Sequence, residues 1–176
     1  MDNQFYLVDA NIFLTPVKQQ YYKFKIAPSY WKQLNYLAEQ GYIKTIDHVK
    51  KELSTREKEE EKDDIQLWFE DDFKGEVINT YQLEIVHEFT ELNQFIYDSS
   101  KYNEKAYEEW FGRADVADPW LIATARVFHC CIVTFETPKS YSGSPFSEIK
   151  IPNVCDDFNI RYVDLFTMME ELKIIL

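Results

Sequence analysis

Phe5-Tyr6-Leu7-Val8-Asp9-Ala10-Asn11 is a short apolar and aromatic run that stops abruptly at a carboxylate. Residues 5–8 carry no charge, so they read as a strand buried on both faces. A strand of that kind belongs in a parallel sheet covered by helices, and the rest of the chain has to supply them. Pro28 opens a helical pattern with Trp31, Leu34, Leu37 and Ala38 at helical spacing, and Gly41 closes it. Residues 43–46 form a second short strand, after which Asp47 is placed to cap a helix with Val49 and Leu53 on one face. The charged stretch 54–72 reads as helix, with an apolar face near its end at Ile65, Leu67, Trp68 and Phe69.

Residues 79–97 place Leu83, Val86, Phe89 and Phe95 at roughly helical spacing, the mark of a long amphipathic helix. A shorter helix spans 102–111. Pro119 sits at the start of a compact apolar helix over 120–127. The β-branched run 130–134 reads as a central strand, 137–150 as a polar loop, 161–163 as a last strand and 165–172 as a closing helix. Short buried strands alternating with helices predict an α/β fold. Its architecture is three-layer α/β/α, with a short central mostly parallel sheet and a helical insertion in the middle. The 176 residues suit one domain, 1–176.

Composition narrows the function. Three cysteines, two of them adjacent, make a poor disulfide framework and point to reduced core thiols in the cytoplasm. No apolar run approaches the ~20 residues of a membrane helix. Four glycines leave no phosphate-binding or dinucleotide turn. The histidines, His48, His87 and His129, are far apart and fit helix surfaces or ends. Asp9-Ala10-Asn11 lacks the second acid of an aspartyl-phosphate phosphatase. The net charge of -12 runs against nucleic-acid binding unless the acids are segregated in 57–72, or clustered where divalent cations neutralise them.

Ligands of an open parallel sheet bind beyond the carboxyl ends of its strands. Asp9 follows the first strand there and Glu136 follows the run 130–134. Glu52 lies about one turn into the helix after the second strand, and Asp118 precedes Pro119 at a helix start. Four carboxylates from four segments repel one another, and a hard divalent ion such as Mg²⁺ or Mn²⁺ removes that penalty. The chemistry such a set supports is metal-assisted hydrolysis of a phosphodiester. Each acid also has an ordinary structural reading. Asp9 can end a strand, Glu52 can pair with Lys50 or Arg56, Asp118 can cap its helix, and Glu136 can sit in a loop. Asp115 is either a further ligand or part of the helix's entry turn.

These segments resemble a known family. Tyr6-Leu7-Val8-Asp9-Ala10-Asn11 is similar to the opening strand of PIN domains, Val49-Lys50-Lys51-Glu52-Leu53 to the helix bearing their Glu, and Ala117-Asp118-Pro119-Trp120-Leu121-Ile122-Ala123-Thr124-Ala125 to the helix led by their third acid. Ile132-Val133-Thr134-Phe135-Glu136 is similar to their strand that ends in Thr with the fourth acid two residues on. The sequence departs from the pattern at Glu136 (usually Asp), at Phe135 (often basic), at Pro119 and in a longer middle segment. The resemblance is closest to bacterial and archaeal PIN-like toxins. It implies a Mg²⁺- or Mn²⁺-dependent ribonuclease acting on single-stranded RNA, with Asp9, Glu52, Asp118 and Glu136 catalytic. It also implies supporting roles for Asn11 and Thr134, homodimers, and an antitoxin partner.

Arg113, Lys139 and Lys18 stand near the expected site loops as phosphate contacts. Tyr21, Tyr22 and Phe24 can stack bases or pack on the first helix. Arg126 reads as a helix-surface residue. The competing functional class is a PIN-fold binding module without catalysis, favoured by Glu136, Phe135 and the acidic charge.

Overall fold

The computed structural model describes residues 5–18, 27–54 and 64–174. Five parallel strands form one sheet in the order β3-β2-β1-β4-β5. β1 (Tyr6–Val8) is central, between β2 (Ile43–Ile46) and β4 (Cys131–Val133); β3 (Val77–Ile78) and β5 (Tyr162–Val163) form the edges. The register aligns Leu7 with Lys44 and Ile132, and Thr45 with Val77, so all five strands end at one edge. Leu7, Val8, Ile132 and Val133 are wholly buried, as a strand covered on both faces requires. Helices cover both faces, giving the three-layer α/β/α arrangement, and the sheet is parallel throughout.

The helices are α1 (Ala10–Lys18), α2 (Pro28–Glu39), α3 (Asp47–Ser54), α4 (Asp64–Asp71), α5 (Leu83–Asp98), α6 (Glu104–Phe111), α7 (Ala117–Phe128), α8 (Ile151–Phe158) and α9 (Leu165–Glu171). Three elements have no counterpart in the sequence reading. α1 starts directly after Asp9 and carries Pro16 inside it, which interrupts the usual helical pattern. β3 is two residues long, too short for any periodicity, and it gives the helical middle a place in the sheet. α8 begins Ile151-Pro152 behind a Ser- and Pro-rich loop, with proline tolerated in its first turn.

α5 keeps part of the stripe its sequence suggested, since Val86 and Phe89 pack against the core, but its fully buried residues are others. Ile85, Leu92 and Ile96 are buried, whereas Leu83 is 84% exposed and Phe95 sits at the surface. Arg126 is not a surface residue either. Its guanidinium lies 2.8 Å from Glu88 of α5 and 4.4 Å from the Phe158 ring centroid of α8, so it ties α7 to both neighbours. On the other side, Phe13 of α1 meets Trp68 and Phe69 of α4 edge-on or tilted, at 6.0 and 5.6 Å between centroids. The three cysteines are free and buried. Among the described residues no helix is long and apolar enough to cross a membrane.

Candidate active site

Each candidate side chain is placed by the end of a strand or the start of a helix. Asp9 is the first residue past β1, and its N–H still donates to Val133 O at 3.1 Å, extending the ladder by one rung. That rung pulls the carboxylate into the sheet edge, where only 5% of the residue is exposed. α7 runs back from the carboxyl edge to the start of β4 through His129, which takes a left-handed conformation. Its N-terminus therefore stands at the edge where Asp9 lies. Asp118 does not cap this helix: Val116 is the N-cap and makes no side-chain cap, leaving Asp118 in the first turn with Pro119 behind it. The proline costs nothing there, because first-turn N–H groups have no intrahelical acceptor. α3 starts immediately after β2, which puts Glu52 one turn beyond the same edge, exposed to solvent.

Thr134, 1% exposed, is the hub of the site. Its hydroxyl donates to Asp9 Oδ2 at 2.9 Å and accepts from Asn11 Nδ2 at 3.0 Å and from the Glu136 N–H at 3.2 Å. Asn11 Oδ1 in turn accepts the Phe135 N–H at 3.1 Å. One donor and both acceptor sites of the hydroxyl are thus used, which fixes the direction of every hydrogen bond in the chain. Asn11 and Thr134, expected as supporting residues, are the side chains that link Asp9 to the Phe135 and Glu136 backbone.

The carboxylates act on one another. Burial pushes Asp9 up to about 7, with further upward pressure from Glu136 and Glu52 and a downward pull from the Thr134 hydroxyl. Asp118 is raised well above the usual carboxylate range by burial and then by Asp9, Glu136 and Glu52, while Lys150 lowers it. The four acids therefore share one electrostatic region at the carboxyl edge. They are not equivalent in it. Glu136 is committed elsewhere: Oε1 takes Lys150 Nζ at 2.9 Å and Oε2 takes the Ile151 N–H at 2.8 Å, so it caps α8 in place of a missing N-cap side chain.

Among the described residues no group of three or more His, Cys, Asp or Glu side chains stands close enough to hold a metal ion as arranged. The donor chemistry nevertheless suits Mg²⁺ or Mn²⁺. All are hard oxygens, and two of them, Asp9 and Asp118, are held in mutual repulsion that a divalent ion relieves. Those two, with Glu52, are the side chains suited to hold it.

A cleft of about 290 Å³ opens beside the acids, lined by Lys51, Glu52, Arg113, Asp115 and Asp118. It brings the expected Arg113 and Asp115 to the rim, where both are exposed and 3.8 Å apart. Lys139 is exposed on the loop before α8 and is paired with Glu148. Lys18 ends α1, and its side chain lies outside the described residues, as do Tyr21, Tyr22 and Phe24. A larger cavity, about 360 Å³, lies at the opposite end of the strands, where Arg126 and Arg161 are held by Glu88 and Glu171. Of these two cavities, the smaller one borders the crowded carboxylates, through Glu52 and Asp118.

Lys150 has no counterpart in the sequence reading. It is half-buried, bonded to Glu136 and Glu148, and is the cation that moderates Asp118. The missed signal was Pro152, with Ile151, Val154 and Cys155 at helical spacing, which marks a helix starting directly after Lys150 and makes Lys150 its N-cap residue. His48 stands at a helix end, the start of α3, and is buried there, stacked on Trp120 at 4.9 Å.

The chain matches the model of a family described as Domain of unknown function (DUF4411) from residue 6 to residue 176, and it belongs to that family. No curated protein and no solved structure matches it.

Proposed function

We propose that this member of the DUF4411 family is a Mg²⁺- or Mn²⁺-dependent endoribonuclease of PIN-like fold, acting on single-stranded RNA in the cytoplasm. The observation that carries the reading is the crowding of Asp9 and Asp118, with Glu52 and Glu136, at the carboxyl edge of a parallel sheet. A fold does not maintain such repulsion for its own stability, because a buried charge without a counter-ion is destabilising. A toxin restrained by an antitoxin protein, and acting as a homodimer, is the biological setting that the PIN resemblance supplies.

Asp9 and Asp118 would hold the ion, with Glu52 completing the set from the solvent side. The ion's contribution is positive charge for the phosphoryl oxygens and a more acidic attacking water. The Thr134 hydroxyl orients Asp9 by donating to Oδ2, and the Ala10 backbone adds a second hydrogen bond to the same carboxylate. Arg113, at the rim of the cleft, and Lys139 would contact the flanking phosphates. Lys150 keeps Glu136 out of the first position and directs positive charge toward Asp118.

The second reading, a PIN-fold binding module without catalysis, is favoured by the engagement of Glu136 with Lys150 and Ile151. Titrating Mn²⁺ while following thermal unfolding separates the two. A metal site stabilises by about 2.7 kcal/mol at a hundredfold excess over Kd. Melting unchanged at millimolar Mn²⁺, together with intact single-stranded RNA after incubation, would exclude the nuclease. Duplex RNA and flapped DNA in the same assay define the substrate.

A further inference from the structure

β3 ends at the same sheet edge as the acids and hands the chain to a turn, 79–82, that is pinned to the start of α3. Thr80 is wholly buried; its N–H donates to Asp47 Oδ2 at 3.2 Å and its hydroxyl to Asp47 Oδ1 at 2.8 Å, with His48 Nδ1 3.0 Å away. The Tyr81 N–H donates to Asn79 Oδ1 at 2.9 Å, and Gln82 Nε2 to Asn79 O at 2.9 Å. A turn fixed at this many points holds Tyr81 in one place.

Tyr81 is 69% exposed. Behind it stands an aromatic wall. The Tyr81 ring centroid lies 6.0 Å from His48 and 5.8 Å from Trp120, and Trp120 is itself stacked between His48 at 4.9 Å and Phe89 at 3.9 Å. His48 and Trp120 are buried, so the ring is supported from within and cannot sink further. A large aromatic left in water on a rigid mount contributes little to the core. It offers a flat, preorganised surface instead.

The mount is shared with the acids. His48 precedes Glu52 by one turn on the same face of α3, and α3 packs against α7, the helix that carries Asp118 in its first turn and turns Trp120, two residues on, to a different face. β3 is two strand spacings from β1, about 10 Å. We propose that Tyr81 is a stacking platform for an unpaired nucleobase next to the phosphate engaged at Asp9 and Asp118. This rests on the ribonuclease reading and adds the reason for single-strand selectivity: bases inside a duplex are already stacked and cannot reach a side chain's face.

The test compares Tyr81→Ala and Tyr81→Phe with the unaltered chain, in an Asp118→Asn background that keeps the RNA intact. The probes are a labelled oligouridylate and a duplex of equal length. Tyr81→Ala should weaken oligouridylate binding about tenfold or more, Tyr81→Phe by less than about twofold, and duplex affinity should not move. Melting temperatures should stay together, since the ring is exposed. Equal affinity of the Ala variant and its parent overturns the platform, as does an equal loss on the duplex. No binding of either probe to the parent overturns the ribonuclease reading along with the platform.

Discussion

Asp9→Asn should make the metal-free protein more stable and inactive at once. In the native fold Asp9 titrates near 7 instead of the usual 3.8. At ~1.4 kcal/mol per decade, that displacement costs the ionised fold about 4 kcal/mol. The asparagine can still accept the Thr134 hydroxyl, but its amide hydrogens lack the water they would have outside, a loss of about 1 kcal/mol. The net gain is about 3 kcal/mol, or roughly 6–12 °C in Tm for a chain of this size.

The pH dependence identifies the cause. Between about pH 4 and pH 7 the folded state keeps a proton on Asp9 that the unfolded chain has released. Native stability therefore falls as pH rises through that window and stays at the lower level above it. The Asn variant lacks this slope. The difference between the two proteins should be near zero at about pH 4, full at about pH 8, and cancelled at about pH 8 by Mn²⁺, which binds only the native site. Chemical denaturation in EDTA across the pH range measures it. A variant less stable than the native protein at pH 8 without metal would refute the electrostatic argument; so would a gain of the same size at every pH.

Other changes separate the roles of the remaining residues. Thr134→Val removes the hydroxyl that serves Asp9, Asn11 and Glu136, and should cost about 2 kcal/mol with RNA cleavage strongly reduced, while Thr134→Ser recovers most of both. Lys150→Met releases one oxygen of Glu136; stability in EDTA should drop by about 1–2 kcal/mol, and the Tm increment produced by saturating Mn²⁺ should grow because another carboxylate becomes available to the ion. An increment that shrinks would instead make Lys150 part of the metal-loaded arrangement.

Much of the fold was legible because its signals are local. The uncharged run before Asp9, the helical spacing of Trp31, Leu34, Leu37 and Ala38, and the β-branched strand after Cys130 each report burial within a few residues of sequence. β3 and α8 were not legible in that way. Val77–Ile78 is a strand only because β2 offers it a partner, and α8 takes its N-terminal hydrogen bond from Glu136, well before it in the chain. The inward stripe of α5 was read only in part for a related reason: which apolar residues face in depends on α7 lying along the helix, not on hydrophobicity alone.

The carboxylates divide along the same line. Sequence by itself determined that Asp9 and Glu136 follow strands and that Asp118 opens a helix, because a parallel sheet sends every strand's end to one edge. Only the tertiary structure decided what each acid does there. Asp9 sinks into the edge through one extra ladder bond and Asp118 is left uncapping in the first turn, so those two repel with nothing bonded between them. Glu136, equivalent to them in sequence pattern, is drawn off by Lys150 and the first N–H of α8. Hydrogen bonds and charges couple residues by distance in space, and no reading of neighbours along the chain contains those distances.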